Sequence, residues 1–267
     1  MKGTNVLMIT SCKGGVGKST VCANLAAALA LRSERVLAVD LDFGMRCLDL
    51  IFGVEDRVVQ DVRSAVKGGI SPEKACVEIP DAEGLFFLAA PYSGRCDITA
   101  EELSSYLETA AEALRLDRIL LDTPGDMGAS TALAAAIADS AMILSGASPT
   151  SIRGAGKTGE LLYEMGITAQ KLVINRFDMK GAVLTKKGIR PGVSEIIDMT
   201  RIPLIGVIPE DSSLSLLQEK GELCVGQKSR SAKDSADRAF ANIAARLTGQ
   251  TVPLFAGMKA KRRRALL

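Results

Sequence analysis

Val6-Leu-Met-Ile-Thr10-Ser11-Cys12-Lys13-Gly14-Gly15-Val16-Gly17-Lys18-Ser19-Thr20 joins a short apolar run to a glycine-rich loop that opens a helical pattern. A strand, a flexible loop and a helix start, in that order, are the context that a phosphate-binding loop needs. Glycines let successive backbone N–H groups curl around phosphate oxygens, and the helix N-terminus adds its partial positive charge. On this reading Gly14, Gly15, Val16 and Gly17 form the cradle. Lys18 neutralises β- and γ-phosphates, the Ser19 hydroxyl binds Mg²⁺, and Thr20 touches the α-phosphate. A glycine turn kept for packing alone has no need of the Gly-Lys-Ser-Thr run or of a second lysine at position 13.

Outward from this loop, apolar runs alternate with helical patterns. Strands are expected at Val6–Thr10, Val36–Val39, Leu85–Ala89, Ile119–Leu121, Ala141–Leu144, Leu172–Ile174 and Leu204–Ile208. Several are unbroken Val/Ile/Leu runs, as strands covered on both faces should be. Helices are expected near Lys18–Arg32, Val58–Val66, Glu101–Arg115, Ser130–Ile137, Ser151–Met165, Ser212–Lys220 and Ala232–Leu247. Thr99 with Glu102 reads as a capping box for the third. The sum is an α/β fold: a single P-loop domain with a mostly parallel twisted sheet and helices on both faces. Its expected span is residues 1–249, with Arg176–Val193 as a long surface loop. A basic tail, 250–267, follows.

Composition removes several chemistries. The 267 residues contain no histidine, which excludes Ser-His-Asp and Cys-His catalysis and most zinc sites. Six cysteines form no C-x-x-C pair, so they read as small apolar side chains in a reducing cytosol. A net charge of +2 gives no general pull toward nucleic acid. The N-terminus does not resemble a signal peptide, and no apolar run suffices to cross a membrane.

The remaining chemistry falls to carboxylates at strand ends. Asp40 and Asp42 follow the second strand, where α/β sheets bind ligands, and can support a metal's water shell or orient an attacking water. Arg118-Ile-Leu-Leu-Asp122-Thr-Pro-Gly125 ends an apolar strand in a carboxylate suited to Mg²⁺, and Gly125 can let its loop sense a γ-phosphate. Asn175-Arg176 and Pro209-Glu210-Asp211 end two later strands. Asn175 has the paired donor and acceptor that an adenine edge requires.

Lys13-Gly-Gly-Val-Gly-Lys18-Ser resembles the deviant phosphate loop, K-G-G-x-G-K-[ST], of the MinD/ParA/nitrogenase-iron-protein superfamily. Arg46-Cys-Leu-Asp-Leu-Ile-Phe-Gly53 resembles the R-N-L-D-L-x-x-G pattern of its MinD branch, with Cys47 in place of asparagine, and Gly206-Val-Ile-Pro-Glu-Asp211 is similar as well. The resemblance implies an ATPase using ATP and Mg²⁺, with Lys13, Lys18 and Asp42 catalytic. Lys13 would act in trans across an ATP-dependent homodimer, and Asp42 would position the hydrolytic water. Ser19, Asp40 and Asp122 would serve the metal. Asn175, Arg176, Pro209, Glu210 and Asp211 would line the base. It also implies MinC-like and MinE-like protein partners in division-site placement. The location implied is cytoplasmic and peripheral at the inner face of the cell membrane.

The tail suits that location. Leu254, Phe255, Met258, Ala265 and Leu266 share one helical arc with Arg262 inside it and Lys259, Lys261, Arg263 and Arg264 outside, a pattern of five basic residues that fits an anionic membrane. DNA partition and flagellar-number control remain alternative roles within the superfamily, with nucleic acid the weaker partner. Asp126 and Met127, where MinD sequences commonly carry a small residue, and Gly154 and Gly156, where they carry acidic ones, depart from the pattern.

Overall fold

The computed structural model describes residues 3–179, 191–226 and 236–257. Eight strands form one sheet: β1 (Asn5–Thr10), β2 (Val36–Asp40), β3 (Val77–Glu78), β4 (Leu85–Leu88), β5 (Arg118–Asp122), β6 (Ser140–Ser145), β7 (Gln170–Phe177) and β8 (Leu204–Pro209). Their order is β3-β4-β2-β5-β1-β6-β7-β8, and every neighbour pair is parallel except β3/β4. This is the expected α/β architecture, and all seven expected strands are present. The eighth, β3, is a two-residue edge strand.

The period-2 alternation sorts each strand's side chains between two cores. From β1, Val6 and Met8 enter one core, whereas Leu7 and Ile9 enter the other. The first core is covered by α3 (Val62–Gly68), α4 (Pro72–Ala75), α5 (Ala100–Ala113), α6 (Ala129–Ile137), α7 (Pro149–Glu164) and α8 (Val193–Thr200). The second is covered by α1 (Lys18–Ala30), α2 (Leu48–Phe52), α9 (Ser213–Gln218) and α10 (Ala236–Leu247). Helix α1 is buried almost all round and has hardly any polar face, because it lies between the sheet and α10.

Caps explain the boundaries. The box at α5 forms as expected: Glu102 N donates to Thr99 Oγ1 at 3.2 Å, and Thr99 N donates to the Glu102 carboxylate at 2.9 Å. The helix expected from Val58 starts only at Val62, because the Asp61 carboxylate accepts from Ser64 N at 2.8 Å and fixes the N-terminus there. Helix α7 is unbroken over 16 residues despite Gly154 and Gly156. Helix α8 begins where the surface loop was expected to end. Most of that loop, 180–190, lies outside the described residues.

The expected domain boundary at 249 moves. The Arg246 guanidinium donates to the carbonyls of Val252, Pro253 and Ile205 at 3.0, 2.7 and 2.7 Å. Asn242 Nδ2 donates to Ala256 O at 3.1 Å. Phe255 is only 3% exposed and Leu254 packs against the same core. Residues 250–257 are therefore a strap running back along α10, and Leu254 and Phe255 are withdrawn from the apolar arc expected of the tail. The rest of that tail, 258–267, lies outside the described residues.

Candidate functional site

The carboxyl ends of β1, β2 and β5 converge on the glycine loop. Gly15 and Gly17 hold φ of 75° and 92°, in the left-handed region that favours glycine. Gly17 is the N-cap of α1 and supplies no side-chain cap, so the first N–H groups of the helix point into the loop unclaimed. Lys18, the first helical residue, is 8% exposed, with its ammonium 3.4 Å from Ser11 Oγ. Burial pulls the Lys18 pKa down, while Asp122, Asp42 and Asp126 pull it back up. Lys13 stands exposed on the rim of the same loop.

Asp40 and Asp122 are register partners on β2 and β5, at 0% and 1% exposure. Asp40 accepts three backbone N–H groups, from Asp42 at 2.9 Å, Cys47 at 3.2 Å and Leu48 at 3.3 Å. It thereby ties down the whole loop that carries Asp42. Burial nevertheless pushes its pKa up to about 6 against those bonds, with the charge of Asp42 adding to the rise. Burial, then the neighbouring Asp40, raises Asp122 well above the usual carboxylate range, while a hydrogen bond from Ser19 opposes the rise.

One Asp122 oxygen, Oδ1, is buried without a hydrogen-bond partner. An orphaned carboxylate oxygen beside the Ser19 hydroxyl, next to a second buried carboxylate, fits a hard divalent cation such as Mg²⁺. Among the described residues no cluster of three or more His, Cys, Asp or Glu side chains could hold a metal. Phosphate oxygens and water must then complete the shell, as is usual for Mg²⁺.

Asp42 is half-buried, its pKa raised by burial and by Asp126 and lowered by Lys18. The segment after it is braced by a buried ion pair, Arg46 to Asp49 at 2.6 Å. The Arg46 guanidinium also lies 4.0 Å from the Tyr92 ring centroid. The R-x-x-D spacing of the sequence is thus an internal brace for α2. From β5, Gly125 is pressed against the glycine loop: a Cβ on it would lie 2.9 Å from Gly14 Cα.

The base-side residues hold the loop in place. Asn175 Nδ2 donates to Val16 O at 2.7 Å, so its amide nitrogen is committed to the phosphate loop. Arg176, with φ of 53°, donates to Gly15 O at 3.2 Å. Pro209 pairs with Phe177 in the sheet, and exposed Glu210 donates its N–H to Phe177 O at 3.0 Å. The Asp211 carboxylate is taken up by Ser213 N at 3.0 Å, by Ser213 Oγ and by Ala236 N at 3.3 Å. It thereby ties the turn before α9 to the start of α10.

Sequence reasoning missed Gln218, which donates to Thr20 Oγ1 at 2.6 Å across 198 residues. A glutamine on a short helix carries no motif that could have found it. A cavity of about 940 Å³ lies at the other end of α1, lined by Leu31, Glu34, Phe52, Gly84 and Leu223, and takes in none of these site residues.

Residues 7–224 match the CobQ/CobB/MinD/ParA nucleotide-binding domain family. This chain belongs to that family. It is 34% identical over 256 residues to the septum site-determining protein MinD of Synechocystis, covering 96% of this chain and 93% of the relative. It is similar to MinD in the MinC:MinD cell division complex of Aquifex aeolicus, with 33% identity, a TM-score of 0.84 and coverage of 94% and 98% of the two chains. It also resembles the Pyrococcus horikoshii MinD complexed with Mg-ADP, at 26% identity and a TM-score of 0.73 over 91% and 96% of the chains. The chain is a MinD-like ATPase that uses ATP with Mg²⁺. Among the described residues no helix is long and apolar enough to cross a membrane.

Proposed function

We propose that the chain is a dimerisation switch: ATP joins two copies, hydrolysis parts them, and the paired state acts in division-site placement at a membrane. The observation that carries this is the contrast between the two lysines of one loop. Lys18 is buried among its own carboxylates, whereas Lys13 is exposed on the rim. A cation presented outward beside a phosphate cradle is placed to reach the nucleotide of a second copy, as a finger supplied in trans does.

Each residue then has a task. The N–H groups of Gly14 to Ser19 hold the β-phosphate, and Lys18 neutralises charge between the β- and γ-phosphates. Ser19 and Asp122 hold Mg²⁺, with Asp40 reinforcing the negative field and fixing the loop behind it. Bound there, Mg²⁺ would supply charge neutralisation at the phosphates. Asp42 accepts a hydrogen bond from the attacking water. Asn175 and Arg176 hold the loop from the base side.

The Aquifex relative is known in complex with MinC. By analogy this chain pairs, when ATP-bound, with a MinC-like inhibitor and is switched off by a MinE-like activator. The basic residues 259–264 serve as a membrane contact that needs two copies for avidity. The test is co-sedimentation with anionic liposomes in ATP and in ADP, for the full chain and for one ending at Gly257. The full chain should sediment only with ATP, the shortened one in neither state, and ATPase activity should be kept in both. A full chain that ignores liposomes but shifts duplex DNA with ATP contradicts the membrane role and supports a partition role.

A further inference from the structure

We propose that Asp126 is a second water-positioning carboxylate of the hydrolytic site, facing the attacking water together with Asp42. The inference rests on the nucleotide reading above and adds a residue to it.

The segment Asp122-Thr-Pro-Gly-Asp126 leaves the end of β5 and folds onto the phosphate loop. At Gly125 the approach is so close that a Cβ would sit 2.9 Å from Gly14 Cα and 3.0 Å from Gly14 N. A side chain at 125 would displace the loop, so the first side chain after this contact is that of Asp126, which is exposed. Two bonds fix it there. Its Oδ1 accepts from Gly128 N at 2.9 Å, and its backbone carbonyl accepts from the buried Thr131 hydroxyl at 2.7 Å. The carboxylate is thus held at the start of α6, with no hydrogen bond to its Oδ2 among the described residues.

Its charge acts on both Lys18 and Asp42. Asp122, Asp42 and Asp126, in that order, favour the charged form of Lys18. Asp122 is committed to Ser19. That leaves Asp42 and the second oxygen of Asp126 as the carboxylate acceptors available to an attacking water.

Hydrolysis gives two such acceptors a use. An attacking water carries two hydrogens, and aiming its lone pair at phosphorus requires that both be held. Asp42 takes one and Asp126 the other. The water oxygen then bonds to the γ-phosphorus as the bond to the bridging oxygen breaks. That electron pair leaves on ADP, and both of the water's hydrogens end on orthophosphate, released as H₂PO₄⁻. Positioned carboxylates of this kind contribute about 10²-fold or more to rate.

The test is single-turnover hydrolysis and ATP titration on the full chain, Asp126→Asn, Asp42→Ala and the double variant. Asparagine keeps an oxygen for Gly128 N, so the anchor on α6 stays while the charge and one acceptor are lost. Asp126→Asn should cut hydrolysis by roughly 10- to 100-fold and leave the ATP dissociation constant and thermal midpoint nearly unchanged. In the Asp42→Ala background the same change should add little, because both act on one water. Undiminished hydrolysis in Asp126→Asn overturns the proposal. So does a matching loss of ATP affinity and stability, which marks a structural role, and so do fully additive losses, which mark separate steps. If the unmodified chain itself fails to bind ATP, it is the nucleotide reading that falls, a result none of the other outcomes resembles.

Discussion

The phosphate side and the base side of the site are built by opposite means. On the phosphate side, Lys18, Ser19, Asp40 and Asp122 come from three adjacent strand ends, and their side chains face one another. On the base side, Asn175, Arg176 and Asp211 give hydrogen-bonding capacity to the protein's own backbone. The phosphate side bears like charges held together in low dielectric, an arrangement that a nucleotide and its cation relieve. The base side bears satisfied bonds that shape the loop whether or not a base is bound. Binding energy should therefore come mainly from phosphates, and selectivity among bases should be modest.

Replacing Lys18 by alanine tests the first half of that contrast and carries the largest effect. It leaves the buried Asp122 and the half-buried Asp42 without their compensating cation, so calorimetry should find Mg-ATP binding reduced beyond detection. Binding at the original affinity removes the phosphate-loop assignment altogether.

The strain on the phosphate side can be read by pH. The Asp40 pKa in the folded chain, about 6, lies above its ordinary 3.8. The folded state therefore binds this proton more tightly, and Asp40 increasingly destabilises the nucleotide-free protein as pH rises from about 4 through about 6. Asp40→Asn cannot titrate. It loses acceptor capacity toward Cys47 and Leu48 at every pH, a constant offset. The difference in thermal midpoint, variant minus parent, should move in the variant's favour across that window and level off above it. A difference that stays flat would mean that burial does not hold the Asp40 carboxyl above its ordinary range.

A smaller effect sharpens the base side. Asn175→Ala removes the bond to Val16 O, a loss of about 1 kcal/mol, or about 5-fold in affinity. If Asn175 acts mainly as a brace, ATP, ADP and GTP should weaken together. A selective loss of ATP that brings it level with GTP would instead make Asn175 a reader of adenine.

The same contrast explains what was legible in the sequence. Lys18, Ser19 and Asp122 could be found because phosphate and metal chemistry demand those side chains at fixed points of a strand-loop-helix frame. The covered strands were legible as unbroken apolar runs. Strand β3 was not, because Val77-Glu78 is too short to show a period. Helix α2 hid behind a motif whose arginine and aspartate brace each other. The strap was misplaced for a different reason. Leu254, Phe255 and Met258 have the spacing of a helical face, and apolar spacing alone cannot tell a lipid surface from the domain's own core, where Phe255 lies.

The central claim is that ATP, through Lys13 of one copy and the phosphates of another, makes a dimer that hydrolysis undoes. Sedimentation velocity on the parent chain, Asp42→Ala and Lys13→Ala, each with Mg-ATP and Mg-ADP, tests it most directly. The account predicts monomers throughout in ADP, a persistent dimer for Asp42→Ala in ATP, and a monomer for Lys13→Ala that has lost hydrolysis. Undiminished turnover in both variants, or a Lys13→Ala dimer in ATP as stable as that of Asp42→Ala, would contradict it.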